Sequence, residues 1–168
     1  KQVFNAPLAE ATIMGVAVGA AIYGMKPIFE IQFIDFISPG WNQVVTNIST
    51  LRWRSFGDWK CPMVVYAPCG AYLPGGSLWH SMAGESYLAH TTGIKIAVPS
   101  TPEDAAGLYW SAIHSDDPVF ILVPKHIFRK PLTVENVVPV PLGKARIQKQ
   151  GSDVTIVNLA EELHAIAD

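Results

Sequence analysis

Helical and extended blocks of apolar residues alternate along this chain. A long run of small and apolar residues predicts a first helix over 9–23, which Gly24 ends. Apolar positions at helical spacing predict a second helix over 41–53, and a third follows a glycine-rich loop and reaches about residue 90. The pair Thr101-Pro102, a preferred N-cap followed by a proline at the first helical position, predicts the start of a fourth helix.

Four extended blocks separate these helices, namely 27–33, 62–66, 94–98 and 119–123. The block 62–66 is wholly apolar, which predicts a central strand buried on both faces. Because strands and helices alternate, we expect an α/β fold: a doubly wound, mostly parallel sheet with helices on both faces. The loops at the carboxyl ends of such strands hold the functional sites.

The last part of the chain has a different pattern. Four prolines and little periodicity between positions 124 and 142 indicate an interdomain linker. Strands are predicted over 144–149 and 154–158, and they would open a second α/β domain. We therefore expect a piece of a longer protein with three parts: a domain over 1–130, a linker over 131–143 and the beginning of a truncated C-terminal domain over 144–168.

Composition and charge exclude several classes of function. The chain is 49% hydrophobic and 15% charged, and its net charge of −2 comes with no basic block, so nucleic acid is not expected as a partner. The uncharged run over 11–25 is shorter than the ~20 residues of a membrane span. Two cysteines form neither a disulfide framework nor a metal quartet and fit a reducing compartment, the cytoplasm or, in a eukaryote, the mitochondrial matrix.

Common catalytic and nucleotide-binding motifs do not occur in the sequence. It contains no G-x-x-x-x-G-K-[ST], no G-x-G-x-x-G after a strand and no G-x-S-x-G. The glycine-rich loop over 70–76 has no basic residue, which counts against a phosphate site. The five histidines are too far apart for a local metal pair, so we expect no metal ligands in this chain.

Glu10 stands at the entrance of the first helix, beside an apolar run. A carboxyl group that is buried there without a partner is costly, and an acid kept in such a place is a candidate for proton chemistry. The simpler interpretation is a first-turn glutamate that complements the helix dipole. The segment by itself leaves both interpretations open.

Four segments in register carry a resemblance to a known family. They are VFNAPLAE (3–10), EIQFIDF (30–36), GGSLWHS (75–81) with AHTTGIKIAVPSTPEDAAGL (89–108), and the DDP…PK run (116–125). The C-terminal LGKARIQKQGSDVTIV is similar to the start of that family's C-terminal domain. The chain resembles the beta chain of the thiamine-diphosphate-dependent decarboxylase of 2-oxo acid dehydrogenase complexes, of the pyruvate and branched-chain types.

The resemblance implies a role for each of five residues. This region would be the pyrimidine-binding domain of a transketolase-like fold, and Glu10 would be the acid that hydrogen-bonds the pyrimidine ring of the cofactor. Leu8, Gln32 and Phe36 would line the pyrimidine pocket, although Leu8 and Phe36 also suit an ordinary core and Gln32 could bond the backbone. His80 would act near the channel through which the lipoyl arm reaches the cofactor, or would be an ordinary loop histidine.

The resemblance also implies a cofactor and partners. Thiamine diphosphate would be shared with an alpha chain, or with a fused domain, which holds the diphosphate and Mg²⁺ through a Gly-Asp-Gly…Asn motif that this sequence lacks. The enzyme would decarboxylate a 2-oxo acid oxidatively and pass the acyl group to the lipoyl disulfide of an acyltransferase, as a homo- or hetero-oligomer. The chain alone would be inactive.

Departures from the family pattern and two other interpretations remain. Met82 follows Ser81 in place of a more usual glutamine, and Tyr66 and Val123 stand where relatives often carry an arginine and an acid. Ser115 replaces a more usual aspartate near a structural potassium site of the relatives, which puts that site in doubt.

The alternatives to a 2-oxo acid dehydrogenase are a transketolase or deoxyxylulose-phosphate synthase, and a non-catalytic oligomerisation domain.

Overall fold

A parallel sheet of four strands forms the centre of the computed structural model, which describes residues 2–71, 76–133 and 135–159. The strands are β1 (Ile28–Glu30), β2 (Val64–Cys69), β3 (Lys95–Ala97) and β4 (Val119–Pro124), in the order β1-β2-β4-β3. All neighbouring strands are parallel. The predicted α/β fold class is confirmed.

β2 and β4 are the buried centre of the sheet. They pair along six residues, and Val64 of β2 is aligned with Ile28 on one side and Val119 on the other. Alternate side chains of the two strands point to opposite faces, so Val65 and Phe120 pack in one core cluster and Val64 and Ile121 in a second. The predicted central, buried strand near 62–66 is confirmed.

Helical segments cover both faces of the sheet. They are α1 (Glu10–Ile22), a 3₁₀ helix (Ile34–Gly40), α2 (Trp41–Gln43), a π-helical turn (Val44–Ile48), α3 (Leu51–Arg54), α4 (Glu85–Ala89) and α5 (Pro102–Ile113), with short 3₁₀ turns at Ser77–Trp79 and Lys125–Ile127. α1 contributes to the first core cluster and α5 to the second. No helix in the described part of the chain has the length and apolar character needed to cross a membrane.

The segment predicted as helical over 41–53 is helical but interrupted, because it is divided into α2, a π-helical turn and α3. The hydroxyl groups of Thr46, Ser49 and Thr50 donate hydrogen bonds to backbone carbonyl oxygens four residues earlier, at 2.5, 3.1 and 2.5 Å. Such bonds compete with the regular backbone pattern and bend or loosen helices. The apolar periodicity identified the buried face but not these interruptions.

The strands predicted over 144–149 and 154–158 do not form. A strand requires a neighbour that completes its hydrogen bonds, and neither segment pairs with the four-stranded sheet; all of these residues except Asn158 are exposed. The predicted linker contacts α5 through Val140 N–H, which donates to Gly107 O at 3.2 Å. Arg146, in the predicted C-terminal domain, makes two guanidinium bonds to the Asp104 carboxylate of α5. The predicted division into domains stays a prediction.

Thr101 caps α5 as the sequence predicts. Its hydroxyl oxygen accepts a hydrogen bond from Asp104 N–H at 3.1 Å, and Pro102 occupies the first turn. We expect Thr101→Ala to lower the free energy of unfolding by about 1 kcal/mol, because it leaves a first-turn N–H without this acceptor. Urea unfolding measures the change, and Thr92→Ala in an exposed turn is the control. Equal stability of the two variants would contradict the cap's contribution.

Candidate functional site

The carboxyl ends of β1, β2 and β4 bring a group of polar and aromatic side chains together. The segment after β1 carries Phe33, Asp35 and Phe36, the loop after β2 carries His80, and Lys125 follows β4 directly. Because β1, β2 and β4 are adjacent and parallel, their ends meet at one edge of the sheet. This is the edge at which α/β proteins place their sites.

Three rings pack edge to face at this edge. The His80 ring centroid lies 4.6 Å from that of Phe33 and 5.5 Å from that of Phe36, with interplanar angles of 90° and 88°. Phe33 and Phe36 are themselves 6.0 Å apart at 82°. Edge-to-face pairs are a favoured arrangement of aromatic rings. The structure therefore brings together two of the predicted site residues, His80 and Phe36.

The backbone beside His80 is held by two charged side chains. Asp35 Oδ1 accepts hydrogen bonds from Ser81 N–H and Met82 N–H, each at 3.1 Å. Lys125 Nζ donates to His80 O and lies 5.5 Å from the centre of the Phe33 ring, within cation–π distance. These bonds fix the loop against the ends of β1 and β4.

Two further contacts fix the same loop. Gly70 N–H, just after β2, donates to Met82 O at 2.8 Å. Gly84 has a φ of +87°, and a Cβ at this position would lie only 2.4 Å from Ile34 Cγ1. Only glycine accommodates both the left-handed backbone and this close approach. The end of the loop is therefore packed directly on the 3₁₀ helix.

Glu10 is the first residue of α1 and is half-buried. α1 packs on the 3₁₀ helix that carries Phe36, and the Glu10 carbonyl carbon lies 3.3 Å from the position that a Cβ on Gly40 would take. Among residues 2–71, 76–133 and 135–159, no hydrogen bond or salt bridge engages the Glu10 carboxyl group. An acid that has no partner among the described residues, on a helix packed against the element that carries Phe36, is able to bond a ligand and exchange a proton with it.

Leu8 and Gln32 are exposed to solvent. Leu8 is 81% exposed and belongs to a segment, 2–8, that is exposed throughout, so it does not cover Glu10 within this chain. Gln32 lies after the end of β1, not on the strand as expected, because β1 pairs with β2 over only three residues. Both side chains are accessible to a ligand or a partner chain, and their pocket roles stay predictions.

The two cysteines and Tyr66 are engaged in the fold. Cys61 and Cys69 are free and buried, and burial raises their pKa values to about 11 and about 12, so neither thiol ionises near neutral pH. Tyr66 O–H donates to Glu30 Oε2 at 2.7 Å, and burial together with this bond raises the pKa of Tyr66 to about 12. These groups are therefore not candidates for nucleophilic catalysis.

Ser115 and Asp117 lie at the position where the relatives have a potassium site, and in this chain they are bound by lysine and arginine side chains. Lys95 Nζ lies 3.1 Å from Ser115 Oγ and 3.0 Å from Asp117 Oδ2, and Arg52 bonds the other Asp117 oxygen. Partial burial favours a higher pKa for Asp117, but the bonds from Lys95 and Arg52 outweigh it and lower the pKa below its ordinary value. A lysine ammonium thus supplies positive charge at this position.

Sequence reasoning missed Phe33, Asp35 and Lys125 as members of the site. Lys125 was inside a matching segment and directly follows a predicted strand, so the rule about carboxyl ends could have identified it. Phe33 and Asp35 lie in EIQFIDF, but no sequence signal showed that they contact the loop around His80.

Comparisons with known proteins identify the family of this chain. The family described as "Transketolase, pyrimidine binding domain" matches residues 1–131. The 2-oxoisovalerate dehydrogenase subunit beta of Bacillus subtilis is 41% identical over 98% of this chain and 50% of its own length. The pyruvate dehydrogenase E1 component subunit beta of Acholeplasma laidlawii is 44% identical over 93% of this chain and 48% of its own length.

A solved structure shows the same fold. It is described as a split gene transketolase, inactive beta4 tetramer; it superimposes with a TM-score of 0.74 at 20% identity and covers 98% of this chain and 53% of its own. The chain spans about half the length of the curated relatives that it matches. The resemblance to the beta chains of 2-oxo acid dehydrogenases is confirmed, and the chain belongs to the transketolase pyrimidine-binding domain family.

Proposed function

We propose that this chain is the pyrimidine-binding half of a thiamine-diphosphate-dependent 2-oxo acid dehydrogenase. The enzyme decarboxylates a 2-oxo acid oxidatively and passes the acyl group to a lipoyl disulfide. One observation carries the proposal: Glu10, a half-buried acid whose carboxyl group has no partner in the part of the chain that the structure describes, begins the helix that packs on the element bearing Phe36. The beta-subunit relatives, at 41% and 44% identity, support the choice of reaction class.

The residues present fit one end of thiamine diphosphate. This cofactor, when bound, supplies a carbon nucleophile that forms by loss of a proton. Glu10 would hold a proton at a pyrimidine nitrogen, the Phe36 ring would pack on the planar heterocycle, and Leu8 and the Gln32 amide would complete the pocket. The sequence lacks a Gly-Asp-Gly…Asn motif, which supports placing the diphosphate and Mg²⁺ on a partner domain.

Two structural features support a partner chain. Val16 on α1 is 62% exposed, Tyr23 directly after α1 is 84% exposed, and the exposed segment before α1 includes Leu8. Contiguous patches of large apolar side chains at the surface mark interaction sites. We assign an alpha chain, or a fused diphosphate-binding domain, and a lipoyl-bearing acyltransferase as partners within a homo- or hetero-oligomer. The compartment would be the cytoplasm or the mitochondrial matrix, and the free, buried cysteines support a reducing one.

Cofactor binding tests the division of the site. We expect the chain alone to bind thiamine diphosphate weakly, with no gain from Mg²⁺, because it offers no diphosphate motif and leaves Leu8 and Gln32 exposed. Titration calorimetry with and without a diphosphate-binding partner chain measures the difference. Tight, Mg²⁺-dependent binding by the chain alone would contradict the half-site proposal.

Activity of the assembled protein tests the reaction class. The full-length gene product, combined with its diphosphate-binding partner, is assayed with pyruvate and with 2-oxoisovalerate, using an artificial electron acceptor. Turnover of either 2-oxo acid supports the proposal and identifies the substrate type. Ketol transfer between sugar phosphates would indicate a transketolase, deoxyxylulose phosphate formation the synthase, and assembly without cofactor binding an oligomerisation domain.

A further inference from the structure

One peptide group at the candidate site is bound at both of its ends. The group joins His80 to Ser81: its carbonyl oxygen accepts from the Lys125 ammonium, and its N–H donates to the Asp35 carboxylate at 3.1 Å. Asp35 also accepts from the next N–H, that of Met82. Hydrogen bonds with a charged partner are stronger than neutral ones. The plane of this peptide is therefore fixed by a cation on one side and an anion on the other.

Both charged side chains are carried by well-packed elements. Asp35 lies in the 3₁₀ helix between Ile34 and Phe36, and Ile34 is buried. Lys125 follows β4, and Ile127 in the same 3₁₀ turn is buried in the second core cluster. The loop after β2 is thus anchored by Asp35 at the end of β1 and by Lys125 at the end of β4. The loop's own 3₁₀ turn, Ser77–Trp79, has no buried residue.

The orientation of this peptide sets the position of the His80 ring. The His80–Ser81 peptide is bonded to the α-carbon of His80, which also carries the imidazole, so a rotation of the peptide plane shifts the ring. The ring itself packs edge to face against Phe33 and Phe36. The Lys125 ammonium also lies over the Phe33 ring. It therefore contacts both the backbone of His80 and one of the two rings against which the imidazole packs. The imidazole also has a contact of its own, from Nδ1 to Gly76 O at 3.3 Å, so a loss of either charged group would loosen the ring without freeing it completely.

We propose that Asp35 and Lys125 are positioning residues that hold the His80 imidazole in place for transfer of the acyl group. The inference rests on the proposed function of His80 and deepens it. A displacement of about 1 Å at a catalytic group is enough to cost up to about 10²-fold in rate. Neither Asp35 nor Lys125 needs to touch the substrate for this effect.

The test uses the full-length protein assembled with its diphosphate-binding partner. Asp35→Ala and Lys125→Met remove the two contacts, whereas Asp35→Asn keeps an acceptor oxygen and Lys125→Arg keeps a donor. The matched controls are Lys60→Met and Asp116→Asn, which break an exposed ion pair of 2.7 Å away from the site. Circular dichroism confirms that each variant is folded. If Asp35→Ala or Lys125→Met fails to fold, the comparison is made with Asp35→Asn and Lys125→Arg.

Two measurements are made on each variant. The first is the overall rate with a lipoyl-bearing partner. The second is the rate at which diethyl pyrocarbonate modifies His80, measured by peptide mass spectrometry with the exposed His90 as internal reference. The second measurement needs no turnover, so it reports on the position of the ring even if His80 has no role in transfer.

We expect Asp35→Ala and Lys125→Met to speed the modification of His80 relative to His90 and to slow the overall reaction by about 10-fold or more. The conservative variants recover most of both effects, and the controls change neither. An unchanged modification rate in both truncated variants would overturn the positioning role. If modification is faster in the Asp35 and Lys125 variants but His80→Ala transfers the acyl group normally, the positioning of the ring is supported and the proposed function of His80 is overturned.

Discussion

Glu10→Gln is expected to lower the rate of decarboxylation by at least ~10²-fold in the assembled enzyme while it leaves the fold intact. The substitution keeps the shape of the side chain and removes the group that exchanges a proton. The carboxyl group contributes no hydrogen bond or salt bridge to the described part of the structure, so its loss should not destabilise the chain. Decarboxylation with an artificial electron acceptor gives the rate, and thermal unfolding verifies the fold.

The matched control for this substitution is Glu85→Gln. Glu85 is also half-buried and also begins a helix, α4, which follows the loop that carries His80. A general effect of neutralising a first-turn glutamate would therefore appear in both variants. Near-normal turnover in Glu10→Gln, or equal losses in the two variants, would contradict the role of Glu10 as the activating acid.

His80→Ala is expected to slow acyl transfer to lipoyl groups by about 10²-fold and to affect cofactor activation much less. The ring lies against Phe33 and Phe36 at the edge of the sheet, where an imidazole can face an incoming arm. Two assays on one preparation separate the steps: decarboxylation with an artificial electron acceptor, and the overall reaction with the lipoyl partner.

His90→Ala is the control for this second prediction, because His90 is exposed and lies beyond α4. Equal losses of His80→Ala in both assays would mean that the imidazole acts at the cofactor itself. No loss in either assay would identify it as an ordinary loop histidine, packed on two phenylalanines without a chemical role.

Much of the helical structure could be predicted from the sequence where local signals and burial agree. The predicted start of α5 at Thr101-Pro102 and the predicted helix over 9–23, observed as Glu10–Ile22, depend on caps and on unbroken apolar runs. The segment over 41–53 was predicted less well because Thr46, Ser49 and Thr50 bond their own backbone. Those bonds depend on side-chain geometry that periodicity does not report.

The candidate site could be predicted only in part. The resemblance identified His80 and Phe36, which the structure brings into contact. It gave no indication of Asp35 and Lys125, because their partners are backbone groups 45 to 47 residues away. A contact between a side chain and a distant peptide group leaves no spacing pattern in the sequence, and only the strand order reveals it.

The strand order also determines when the site can assemble during folding. Within the described residues β3 pairs with β4 alone, and β4 lies between β2 and β3, so the sheet is incomplete until its last strand has been added. Pairings between segments so distant in sequence carry a loop-closure cost and form slowly. We therefore expect the loop around His80 to become ordered late, together with the arrival of Lys125. A chain still emerging from the ribosome would lack a working site until the segment beyond Pro124 has been made.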